Sequence, residues 1–233
     1  MPDNELGQPV GQLLPGWVPR PAPSAPVLKG RYCRLERLET SRHAEELFEA
    51  DRRDTTGESW TYLPYGPFGT LADYRRWVES VQDGEDPRFY AIVSTDRKEP
   101  RAVGVLSLLR IQPESGVIEV GHVHYSPLLQ RQRAATEAQY LLAAYLFEEL
   151  GYRRFEWKCD ALNAASRAAA QRLGFSYEGT FRQAVVVKGR NRDTAWYSMI
   201  DSEWPVIRER FDAWLRPENF TEDGRQRSPL RPA

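Results

Sequence analysis

Asn163 and Ser166 stand three residues apart at the head of an alanine-rich run that ends at Leu173-Gly174-Phe175. Asparagine there caps a helix, because its side-chain oxygen accepts from an orphan N–H of the first turn. Ser166 in that turn brings a hydroxyl that can give a proton to a departing anion, although serine so placed is also ordinary capping chemistry. Upstream, Glu119, His122 and His124 lie within Val117–Tyr125. A carboxylate or an imidazole suits a general base, with Glu119 working through water and His124 as the other candidate. Strict alternation sets both histidines on the opposite face from Glu119. A His-x-His pair without a third ligand is a weak metal signal, and no metal is expected.

Two further segments carry chemistry. Gln130-Arg131-Gln132-Arg133-Ala134-Ala135-Thr136 joins a strand to a long helix. Backbone N–H groups and the positive end of a helix dipole converge at such a junction and attract an anion. The stretch from Trp60 through Tyr62 and Tyr65 to Phe68 mixes four aromatics with Pro64, Gly66 and Pro67. It suits a lid or pocket wall for a cationic amine.

The elements that hold these residues can be read from periodicity. Tyr32–Leu38 alternates as a strand, and Thr40 is read as the cap of a helix through Ala44, Leu47 and Phe48. A second helix carries Leu71, Tyr74, Trp77, Val78 and Val81. Strands are expected over Phe89–Ser94, Arg101–Arg110 and Val117–Tyr125, the first two joined by a turn at Asp96-Arg97-Lys98. An amphipathic helix over Ala134–Leu150 follows, then a strand over Arg154–Asp160 and the helix capped by Asn163. Gly174 supplies the left-handed stop. Strands over Phe175–Arg182 and Ala195–Ile200 flank a less regular Val185–Gly189 segment, and Ser202-Glu203-Trp204-Pro205 opens a terminal helix. The order β-α-α-β-β-β-α-β-α-β-β implies a mixed sheet covered by helices in one α/β domain.

At 233 residues, 41% hydrophobic and with a net charge of −1, the chain has no electrostatic footprint for nucleic acid or an anionic membrane. Any anion site must be local. Cys33 and Cys159 make no disulfide scaffold, and no apolar run reaches the ~20 residues of a membrane helix. Met-Pro-Asp-Asn-Glu lacks the regions of a signal peptide, so a cytoplasmic protein is expected.

The ordered set of strand, Asn163-x-x-Ser166, helix, Leu173-Gly174-Phe175 and Glu178-Gly179 resembles the coenzyme A site of the GCN5-related N-acetyltransferase (GNAT) superfamily. It looks most like the branch holding the ribosomal-protein N-terminal acetyltransferases. That resemblance implies a mostly antiparallel central sheet, splayed at the cofactor site, with helices on both faces. It further implies transfer of an acyl group, acetyl first, from acyl-CoA to a primary amine. Val123, His124 and Tyr125 become the acyl-binding edge, and Gln130, Arg131, Gln132, Arg133, Ala134, Ala135 and Thr136 the pyrophosphate loop. Asn163 holds the pantetheine arm or its own loop, and Ser166 serves the leaving thiolate. Arg131 and Arg133 replace glycines usual in that loop, the Arg133 guanidinium adding a cation beside phosphate. Ala170 replaces a tyrosine that many relatives use, and Val185 stands where the ribosomal enzymes carry a carboxylate. The acceptor is expected to be a small amine, a peptide or a protein N-terminus, held by Trp60, Tyr62, Tyr65 and Phe68. The competing expectation is a non-catalytic acyl-CoA sensor or scaffold.

Residues 1–27, with prolines at 2, 9, 15, 19, 21, 23 and 26, read as an extended arm, 28–216 as the acyltransferase domain and 217–233 as a tail. Strand edges in the C-terminal part make a homodimer a further expectation.

Overall fold

The computed structural model describes residues 2–96 and 99–230. The strands are β1 (Val27–Lys29), β2 (Cys33–Arg37), β3 (Arg88–Ser94), β4 (Arg101–Gln112), β5 (Val117–Tyr125), β6 (Arg154–Asp160), β7 (Ser176–Val187) and β8 (Arg190–Ile200). They form one sheet in the order β1-β2-β3-β4-β5-β6-β8-β7. All neighbours run antiparallel except β5 and β6. The helices are α1 (Thr40–Asp51), α2 (Leu71–Val81), α3 (Arg133–Ala144), α4 (Ala164–Arg172) and α5 (Trp204–Trp214).

Alternation along β3 divides the core. Tyr90 and Ile92 pack with buried residues of α3 and α5, among them Leu142 and Phe211. Phe89, Ala91 and Val93 point the other way, onto Leu47 of α1 and Tyr74 and Trp77 of α2. Helices thus cover both faces, as a sheet with two apolar sides requires.

Several elements depart from the sequence reading. Glu39, not Thr40, holds the cap position of α1, and the Thr40 hydroxyl donates to Gln82 Oε1 of the chain after α2 at 2.9 Å. The long helix is α-helical only to Ala144 and finishes as a π turn over Tyr145–Glu149. The stretch expected to be irregular near Val185–Gly189 is the end of a regular hairpin, turned by Lys188 and Gly189 at φ 49° and 73°. Both faces of β7 are exposed for most of its length, so no burial pattern marks it. Part of the expected turn at Asp96-Arg97-Lys98 lies outside the described residues. Gly174 does stop α4, at φ 98°.

The proline-rich N-terminal stretch lies against the body at a few points. Trp17 Nε1 donates to Glu114 O at 2.9 Å, and the N–H groups of Ser24 and Ala25 donate to the Tyr145 hydroxyl at 2.9 and 3.1 Å. Leu6 and Leu13 remain exposed.

Candidate active site

β5 and β6 pair only from Val117↔Arg154 to Val120↔Trp157. Beyond that the two strands follow different neighbours. A bulge at His122 (φ 51°) moves the β4 register from Ser107↔Gly121 to Val105↔His124. An extra residue of this kind bends its strand and strengthens its twist. Ser126 then ties the end of β5 to β4, its N–H and hydroxyl donating to Val103 O at 3.2 and 2.6 Å. The end of β6 stays with β8, through Cys159↔Ala195 and Asp160↔Thr194. The edge of β5 at Val123, His124 and Tyr125 therefore faces a gap. A cleft of about 280 Å³ opens there, bounded by β5, β6, the start of α4 and the loop around Tyr62.

The α4 wall carries the predicted pair. Asn163 is the N-cap, its Oδ1 accepting from Ser166 N–H at 3.0 Å. Its side chain thus organises the loop itself. Ser166 Oγ accepts from Trp157 Nε1–H at 2.9 Å and lines the cleft beside Cys159. With one lone pair taken by the indole, the hydroxyl keeps its proton to donate, and the Cys159 thiol is within its reach.

At the other end, Gln130 Nε2 donates to Tyr125 O at 2.9 Å, pinning the loop to β5. Arg131 takes the left-handed conformation (φ 60°) that glycine takes without strain. Gln132 caps α3, and Arg133, Ala134, Ala135 and Thr136 form its first turn, where N–H groups have no partner further back in the helix. The Arg133 guanidinium is not beside this turn's anion position. Asp96 binds it (Nε to Oδ2, 2.5 Å) and it lies over the Tyr32 ring at 4.2 Å, so the expected extra cation is spent on structure. Thr136 Oγ1 accepts from Arg172 at 3.1 Å, and buried Glu137 accepts from the N–H groups of Arg31, Tyr32 and Cys33. A Cβ on Gly30 would lie 2.5 Å from that carboxylate, which is why the turn between β1 and β2 tolerates only glycine there.

The bulge overturns the expected separation of the histidines from Glu119. Glu119, Gly121 and His124 pair with Leu109, Ser107 and Val105, alternate residues of one face of β4. Glu119 is buried and lines the cleft, held by Arg110 Nη1 at 2.5 Å and Lys158 Nζ at 2.9 Å. Lys158 also reaches Glu156 at 2.7 Å. His122 lines the cleft too, with Nδ1 3.1 Å from the Tyr65 hydroxyl. Burial, then the charges of Arg110 and Arg192, push it down to about 4. It is neutral and able to accept. His124 lies deeper, stacked on Trp60 at 3.7 Å with Nε2 2.9 Å from Ser59 Oγ, and burial pushes it down to about 3.

Trp60 is buried, and Tyr65 and Phe68 pack against the same core. Tyr62 remains at the cleft, its hydroxyl donating to Leu162 O at 3.2 Å across the gap, and Ser59, Leu63 and Pro64 line the wall beside it. The hairpin closes this side, Lys188 Nζ donating to Trp60 O at 3.0 Å. Sequence reasoning missed Ser59, Arg110, Lys158 and Arg192. The signal for Lys158 was legible: Arg154, Glu156 and Lys158 put three charges on one face of a strand that must pair next to Glu119.

The acetyltransferase (GNAT) domain model matches residues 33–176. The chain belongs to the GNAT acetyltransferase family. As a GNAT N-acetyltransferase it is similar in structure to a GCN5-related N-acetyltransferase from Brucella melitensis. That likeness has a TM-score of 0.90 and 45% identity, covering 93% of this chain and 97% of the other. It is 30% identical to the ribosomal-protein-serine acetyltransferase of Escherichia coli (strain K12), over 54% of this chain and 78% of that one. An uncharacterized N-acetyltransferase, p20, of Bacillus licheniformis matches 73% of this chain and 99% of its own length at 26% identity. In GNAT terms the gap between β5 and β6 is where the fold opens its sheet. Among the described residues no helix is long and apolar enough to cross a membrane.

Proposed function

We propose that this GNAT protein transfers an acyl group, acetyl most readily, from acyl-CoA to a primary amine by direct attack on the thioester. The observation that carries the reading is the cleft itself, which brings Ser166 on α4 within one cavity with Glu119 and His122 on β5. The pyrophosphate of the acyl-CoA sits at the head of α3, over the turn from Arg131 to Thr136, where the positive end of the helix favours an anion. The pantetheine arm runs along the open edge of β5, and Val123, His124 and Tyr125 present main-chain groups to the acyl carbonyl. Ser166 donates to the departing thiolate.

The acceptor enters past Tyr62, from the side closed by the hairpin. Glu119 lines the acceptor side of the cleft, its charge offset by Arg110 and Lys158, which it holds in place. The acceptor is an amine on a small molecule, a peptide or a protein N-terminus.

The test is thermal unfolding with acetyl-CoA, followed by thiol release over a panel of amines. A ligand present at about a hundredfold its Kd adds about 2.7 kcal/mol of stability. The expected result is a rise in unfolding temperature together with amine-dependent thiol release. Binding without release on any amine supports a sensor module instead, and no binding at millimolar ligand overturns the reading.

A further inference from the structure

The core beneath the acceptor side holds a group of polar atoms that the proposed chemistry does not yet use. Asp51, at the end of α1, is buried among Leu47, Trp60 and Tyr74, and its carboxylate faces the Tyr74 hydroxyl without a well-formed hydrogen bond to it. His124 Nδ1, likewise without one, lies 3.5 Å from Asp51 Oδ1. On the other side of the ring, Nε2 is 2.9 Å from Ser59 Oγ, and Ser59 lines the cleft. A carboxylate buried with so few partners is costly. Three groups thus run in line from the cavity wall to a buried carboxylate.

We propose that Ser59, His124 and Asp51 form a proton relay that takes the proton from the attacking amine. The proposal rests on the amine-acylation reading above. As the amine nitrogen bonds to the thioester carbon and the carbonyl pair moves onto oxygen, the amine proton passes to Ser59 Oγ. The Ser59 proton passes to His124 Nε2, and the Nδ1 proton passes to Asp51. Collapse of the tetrahedral intermediate breaks the C–S bond, and the thiolate takes a proton from Ser166, which solvent replaces. Net, one proton leaves nitrogen and one arrives on sulfur, and the proton held by Asp51 returns through His124 and Ser59 to solvent before the next turnover. Ser59 meets the amine; His124 and Asp51 are positioning residues that act through it.

The surroundings set the polarity of the chain. Burial raises Asp51 to about 7, with Tyr74 from α2 and Asp54 from the following loop as its titratable neighbours and Tyr65 just beyond Tyr74. Asp54 is held down to about 2: burial opposes this, but hydrogen bonds from Ser59, Thr56 and Gly57 outweigh it. Asp54 is therefore a constant anion whose Oδ2 accepts from Ser59 Oγ at 2.6 Å and steadies that side chain. When Asp51 is protonated, its O–H points at Nδ1 and the imidazole presents N–H to Ser59, so the relay is full. When Asp51 ionises, Nδ1 carries the ring proton, Nε2 turns its lone pair to Ser59, and the Ser59 hydroxyl proton swings from Asp54 to Nε2, so the relay can accept. The sign follows: turnover rises with pH through the ionisation of Asp51.

The experiment is a kcat/KM pH profile of wild type, Asp51→Asn and Ser59→Ala, with two acceptors whose own amine pKa values differ. Acetyl-CoA stabilisation of each variant is measured alongside. The expected result has three parts. In wild type, a limb near neutrality stays fixed when the acceptor is changed. In both variants that limb is lost and kcat falls about a hundredfold, the lower end of what a positioned base contributes. Acetyl-CoA stabilises all three proteins alike. An unchanged limb in both variants, with kcat within about twofold of wild type, overturns the relay while wild-type turnover keeps the acylation reading. A wild type that stabilises with acetyl-CoA but acylates no amine overturns the acylation reading and the relay with it. If Asp51→Asn does not fold, Ser59→Ala at the cavity wall decides alone.

Discussion

On the function proposed above, the Ser166 hydroxyl is where cofactor binding and catalysis can be separated by one substitution. Ser166 is fixed by Trp157 and by the cap from Asn163, so removing it leaves the helix start intact. Ser166→Ala should lower kcat by about a hundredfold, the scale of one lost donor to developing negative charge. The rise in unfolding temperature with acetyl-CoA should be unchanged; a matching loss of binding would mean that the hydroxyl holds the cofactor instead. Arg131 offers a test of opposite sign. A side chain at φ 60° costs about 1 kcal/mol that glycine avoids. Arg131→Gly should raise the unfolding temperature by about 2–4 °C, read by calorimetry without ligand.

At the level of elements, the sequence was legible wherever burial enforced a period. β5 and β6 run over the residues expected, Val117–Tyr125 and Arg154–Asp160, because both are central strands with a packed face. The cap at Asn163 and the stop at Gly174 were legible because each depends on one residue's chemistry. What escaped was set by neighbours distant in sequence. The bulge at His122 comes from pairing with β4, and no local pattern announces it; without it Glu119 and His124 would face apart. Arg133 looked like a phosphate ligand until Asp96, far back in the chain, claimed it. Glu137, in the same helix, is the clamp on the turn from Gly30 to Cys33, a role set by strands far back in the chain. Glu137→Ala strands the buried N–H groups of Tyr32 and Cys33 and releases that of Arg31, and should cost about 3 kcal/mol, seen as a lower denaturant midpoint with an unchanged slope. The hairpin between β7 and β8 carries the corresponding prediction for function. Lys188→Ala releases its hold on Trp60 and Gly66, and should raise KM for the amine with little change in KM for acetyl-CoA.

Across the whole molecule, acid sensitivity follows from buried ionisable groups working against one another. His122 and His124 are neutral in the fold down to about 4 and about 3, whereas in an unfolded chain both charge near 6.5. Their shifts therefore lower stability as pH falls below 6.5. Asp51 works the other way. Its folded value is raised, so its penalty is absent below about 3.9, grows as pH climbs, and levels off near 7. Asp51→Asn should then stabilise the protein increasingly from pH 4 to 7 and by a constant amount above, measured as unfolding temperature against pH. Stability gained where turnover is lost is the pattern of a group kept for function.

Among the described residues the four pairs from Val117↔Arg154 to Val120↔Trp157, with Arg153 and Arg154 N–H donating to Gly116 O at the closed end, are the strand joint between the five strands β1 to β5 and the three strands β6, β8 and β7. Mechanically that joint is a zipper open at one end. A pulling device attached to β4 and β8 would load these rungs in sequence from the open end, and not all at once. The unloaded protein should part there at low force, in one early step. A pantetheine arm lying in the gap would bridge both lips and bear part of the strain. Rupture force across this one seam would then count bound cofactor molecule by molecule.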